Sequence, residues 1–214
     1  MEKKRLGKIE KLSVEHFKRP GRKLCLVFYI YPGKETDKEY LEKFKKYWEE
    51  VKTRINSLQS KIGKFDKVYH ELIDADGEKG MELIKKLNKK EYEIIKNPLN
   101  GNKKLQATED KNLLEETMDW GKCLATNPQN KKVLSKISEF YIQALQRRDK
   151  YIAQKIDETL KENEIGIFFT QEESNIKLPT DIEIFRICPP ILDDIHRYIR
   201  DKFQSSSETS WKKS

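Results

Sequence analysis

Apolar positions in this chain follow two spacings that take turns: short unbroken runs, and stripes at every third or fourth residue. The first run, Leu24 to Tyr31 (LCLVFYIY), is rich in β-branched and aromatic residues and is stopped by Pro32-Gly33. Such a run predicts a strand buried on both faces, as in parallel sheets covered by helices. Thr36 then caps a helix, with Glu39 as its reciprocal capping-box partner. Leu41, Phe44, Trp48, Val51, Ile55, Leu58 and Ile62 form one apolar stripe that ends at Gly63. Phe65 to Ile73 suits a second strand, so a right-handed strand, helix, strand unit is the expected topology.

Residues 78 to 88 predict a short helix. Tyr92 to Ile95 and Leu105 to Thr108 read as short strands flanking the turn Asn97-Pro98-Leu99-Asn100-Gly101. The pattern is helical again from Glu109 to about Leu124. Residues 129 to 163 then hold the longest helix, with Val133, Ile137, Phe140, Tyr141, Ala144, Leu145, Ile152, Ile156 and Leu160 in period. Ile165 to Thr170 and Ile182 to Cys188 predict two more strands, and a last helix runs from Ile191 to Phe203. The expected architecture is α/β: a central, mostly parallel sheet of about four to six strands flanked by helices. A single domain over 24–203 lies between a basic arm, 1–23, and a polar, disordered tail, 204–214.

Charge changes this picture mainly at one end. Residues 1 to 23 hold nine basic side chains against three acids, an excess of six out of the net charge of +8. Lys3, Lys4, Arg5, Arg19 and Arg22 therefore offer a phosphate contact to nucleic acid by counterion release, while a solvated chain end explains them equally well. The 37% charged content with 36% hydrophobic residues reads as solvated amphipathic helices rather than disorder, because the apolar residues keep their periods. No run is long enough to cross a membrane. Three distant cysteines, Cys25, Cys123 and Cys188, fit neither a disulfide framework nor a zinc knuckle, and cytosol is the expected location.

Several constellations carry candidate chemistry. Pro32-Gly33-Lys34-Glu35-Thr36 faintly suggests a phosphate loop, but Phe28 and Glu35 stand where that loop needs glycine and a hydroxyl. His70 and Glu71 close the second strand, where α/β sheets present groups to a crevice, and as strand neighbours they point to opposite faces. Glu109 sits in an acidic cluster at a helix start, and Arg148 lies beside the apolar stripe of the long helix, where a guanidinium must be paired or face a polar cavity. Glu172 and Glu173 follow the third long run. Trp120 brings a large aromatic near a helix end, as a core anchor or part of a contact surface.

Arg148-Asp149-Lys-Tyr-Ile-Ala-Gln-Lys-Ile156 followed by Glu158 to Phe169 resembles the late segment of the TraB/Tiki-like superfamily, in which an R-D-x-x-I-A helix precedes a strand. That resemblance implies a metal-dependent hydrolase in some branches and a non-catalytic protein in others. Tyr31-Pro32-Gly33 and Gln171-Glu172-Glu173-Ser174 stand where the family's histidine loops lie, so it implies a degenerate apparatus here. The later helix and strands are also similar to the α/β domains of class I release-factor relatives, without the G-G-Q tripeptide. Three functions are open. The leading one is a non-catalytic or degenerate binding protein with no cofactor, its crevice at the strand carboxyl ends lined by His70, Glu71, Glu109, Arg148, Glu172 and Glu173. A second is a hydrolase with a divalent cation on Glu71, Glu109 and Glu173 and His70 as catalytic base. The third is an RNA- or ribosome-associated module using the basic arm. The partner and the oligomeric state stay open.

Overall fold

The computed structural model describes residues 20–32, 34, 37–96 and 99–211. Among them, β1 (Arg22–Phe28), β2 (Lys67–His70), β3 (Ile165–Thr170) and β4 (Ile182–Ile187) form one all-parallel sheet in the order β2-β3-β1-β4. Their carboxyl ends thus share one rim. β1 and β3 are central, as their unbroken apolar runs predict.

Between β1 and β2 lies α1 (Lys38–Ile62). It is capped by the Asp37 side chain, which accepts from the Tyr40 amide at 3.2 Å, and it closes on Gly63 at φ 104°. Thr36, the expected cap, lies outside the described residues. Phe44, Tyr47, Trp48, Val51 and Ile55 of α1 pack on Cys25, Val27, Ile167, Phe169 and Ile187, which share one face of the sheet. The other face carries Leu24, Tyr69, Phe168 and Ile182, covered by Ile152 and Ile156 of the long helix α6 (Lys131–Thr159) and by Leu160. Gly166 lies on this face because a Cβ there would stand 2.7 Å from Leu24 and 3.1 Å from the Tyr69 ring. The chain from β3 to β4 lays Ile176 and Leu178 on the same face. The connections that leave the central strands β1 and β3 therefore run over opposite faces, the arrangement that opens a crevice at a parallel sheet's carboxyl rim.

The remaining helices are α2 (Gly77–Leu87), α3 (Lys89–Lys96), α4 (Gly101–Lys104), α5 (Lys111–Ala125) and α7 (Ile191–Trp211). Two expectations are corrected here. Tyr92 to Ile95 is helix, not strand: Glu91, Ile94 and Ile95 bury at helical spacing, and the Asn88 side chain caps the turn by accepting from the Lys90 and Glu91 amides. Leu105 makes one isolated parallel bridge to Val68, without a strand around it. The last helix continues past Phe203 to Trp211, with no Gly or Pro to stop it.

Lys3, Lys4, Arg5 and Arg19 lie outside the described residues. Arg22 does not belong to an arm: it opens β1, and its guanidinium pairs with Asp157 and Asp181, both at 2.7 Å. That staple ties β1 to the end of α6 and leaves Arg22 no free fork for a phosphate. No helix among the described residues is long and apolar enough to cross a membrane.

Candidate functional site

The carboxyl rim holds the densest buried charge among the described residues. As β2 ends, His70 and Glu71 turn to opposite faces, and Leu72 takes a positive φ of 77° that swings the chain away. Glu71 accepts from the Thr170 hydroxyl at 2.7 Å, the Gln171 amide at 2.9 Å and the Arg148 guanidinium at 3.0 Å. Arg148 rises from α6 and spreads its fork over Glu109, its Nε lying 3.1 and 3.0 Å from the two carboxylate oxygens. Glu109 also accepts from the Leu72 amide at 2.9 Å. Two carboxylates thus share one guanidinium, and all three side chains are buried. Burial alone would lower the Arg148 pKa; the hydrogen bonds and charges of Glu109 and Glu71 outweigh it and raise it further.

On the α1 face, the His70 ring stacks between Tyr29 and Phe169, with centroids 5.6 and 6.0 Å away. Its Nδ1 meets the Glu71 carbonyl, and its Nε2 stands 2.9 Å from Glu91, close enough for an ion pair but off the line of a hydrogen bond. Burial opposes protonation of this ring, but the Glu91 carboxylate outweighs it, and the pKa rises above the ordinary 6.5.

Several concavities lie around the rim. One, about 610 Å³, runs along α6 between Ile142, Leu145, Asp149 and Ala153 on one wall and Asn175 and Lys177 on the other. Asp149 there has a raised pKa, from partial burial first, with Arg148 opposing and Glu71 and Glu109 adding to the rise. Another, about 290 Å³, lies beyond the end of β1, where α2 meets α3. Pro32, Phe44 and Leu87 form its apolar wall, and Lys85, Lys86, Lys89 and Lys90 surround it. Asn88, buried at this corner, donates to the Ile30 carbonyl at 3.3 Å and fixes the corner to the chain leaving β1.

The structure gathers Glu71, Glu109 and Arg148 and keeps His70 behind them on the opposite face. Glu172 and Glu173 do not join. Glu172 pairs with His196 at 2.9 Å and lines a small hollow of about 60 Å³, and Glu173 is exposed. Of the expected cation set Glu71, Glu109 and Glu173, the first two pair with Arg148, and no group of three His, Cys, Asp or Glu placed to hold a metal ion occurs among the described residues. Sequence reasoning missed Glu91, because a helix was read as a strand. It also missed the lysine corner, whose signal is a run of four lysines and no acid in residues 85–90.

No family model, no curated protein and no solved structure matches this chain.

Proposed function

We propose that this is a non-catalytic binding protein that takes a small phosphate-bearing anion at its carboxyl rim, in the lysine-lined pocket where α2 meets α3. One observation carries this reading: four lysines line a concavity of about 290 Å³ with an apolar wall. Lys85 and Lys86 close α2, where cations complement the helix dipole. Lys89 and Lys90 open α3, where they oppose it, at a cost of about 0.3–1 kcal/mol each. Helix stability accounts for the first pair and not for the second, whereas an anion in the pocket accounts for both. The non-catalytic part is supported by the ion cluster next door. Glu71, Glu109 and Arg148 spend their hydrogen bonds on one another and on the backbone, which suits a brace more than a reacting site.

Thermal unfolding of the full chain against inorganic phosphate and tripolyphosphate, with chloride at matched ionic strength, tests the reading. Binding to the fold raises Tm with ligand concentration by mass action. The triple substitution Lys86→Ala, Lys89→Ala, Lys90→Ala abolishes that rise while its unliganded Tm stays near wild type. An equal rise in the variant, or none in the wild type with either probe, overturns the proposal.

A further inference from the structure

α6 is longer than the sheet it covers. Its 29 residues span about 44 Å, against about 20 Å for a six-residue strand. Its buried residues, Ala144, Arg148, Ile152 and Ile156, lie from its middle onward. The first half packs along α5, in which Thr117 alone is buried. The two helices form an antiparallel hairpin, tied by Arg147 to Glu116 at 2.6 Å and by Trp120 stacked on Phe140 at 5.0 Å between centroids.

The hairpin is where apolar surface remains uncovered. Six large hydrophobic side chains are exposed among the described residues, and four of them, Met118, Val133, Phe140 and Ile142, belong to it. Val133 and Phe140 lie seven residues apart, two turns along one side of α6, and Trp120 extends that line onto α5. Two helices side by side bury one seam each, and further helices are needed to cover the rest.

Charge along the hairpin points to what covers it. Residues 121–138, around its tip, hold Lys122, Lys131, Lys132 and Lys136 and no acid. Residues 110–119, near its base, hold Asp110, Glu115, Glu116 and Asp119 against one lysine. A second hairpin laid antiparallel sets each basic tip on the other's acidic α5 and brings the two apolar lines face to face. We propose that a second copy of this chain docks in that way, giving a two-fold dimer built on a four-helix contact around Val133, Trp120 and Phe140.

Sedimentation velocity on the full chain, of 25.5 kDa, tests this. The wild type is expected to shift toward a dimer as concentration rises, and Phe140→Glu to stay monomeric with an unchanged circular dichroism spectrum. Orientation is read with two charge-reversed chains, one carrying Lys132→Glu and Lys136→Glu, the other Glu115→Lys and Asp119→Lys. Each alone associates at least about tenfold more weakly, and the mixture regains association. A wild type that stays monomeric at every concentration overturns the proposal, including one whose tip binds a polyanion instead. Mixing that restores nothing overturns the antiparallel order.

Discussion

Residues 70 and 71 are neighbours in the chain, yet the rim gives them different company. Glu71 enters a cluster on the α6 face in which a guanidinium, a hydroxyl and an amide fill its oxygens. His70 enters an aromatic slot on the α1 face with one carboxylate, Glu91, facing its outer nitrogen. The α6 side is over-determined, because several donors from α6 and from the end of β3 converge on its carboxylates. The α1 side depends on a single buried pair, His70 and Glu91. Satisfied buried networks rigidify a fold, and a lone buried pair makes it sensitive to conditions.

The largest effect is expected on the α6 side. Arg148→Met leaves Glu71 and Glu109 buried without their cation, and denaturant unfolding should show a loss of about 3–5 kcal/mol. Adding Glu71→Gln and Glu109→Gln should recover much of it; no recovery would mean that Arg148 acts through packing rather than charge. On the α1 side, Glu91→Gln keeps the shape and removes one charge, and the expected loss is about 1–3 kcal/mol. The same pair sets a pH dependence. His70 in the fold sits above its ordinary value of 6.5, so its protonation stabilises the folded chain. That contribution is whole below about 6.5 and is lost as pH rises through the folded value. Unfolding free energies measured across that range should fall with pH in the wild type and more weakly in Glu91→Gln; parallel slopes would break the assignment. The smallest effect belongs to Arg147, one residue from Arg148 but half exposed beside Glu116. Arg147→Ala should change stability by less than about 1 kcal/mol, and a larger loss would erase the contrast between the two arginines.

Much of this was legible in advance. The runs at Leu24 and Ile165 do lie side by side at the centre of the sheet, paired from Lys23 with Ile165 to Phe28 with Thr170. Arg148 was recognisable as a cation that needed a partner, since its position follows from the stripe of α6. The partner was not readable, because Glu109 is 39 residues away and Glu71 is 77. The segment 89–108 misled for a physical reason. Tyr92 to Ile95 has the composition of a strand, but the Asn88 cap and the burial of Ile94 and Ile95 decide for helix. Tyr47 is not in the apolar stripe read from the sequence, and its hydroxyl donates to the Phe28 carbonyl at the end of β1.

By itself, the order of apolar runs and stripes determined the alternation of strand and helix, the parallel sheet and the length of α6, because periodicity and burial act within a few residues of each other. Only the tertiary structure decided that β3 inserts between β1 and β2, which acids meet Arg148, and that the lysines of two helices face one pocket. Those outcomes depend on side chains far apart in the chain meeting in a low-dielectric interior or across a bend, and no local spacing encodes such a meeting.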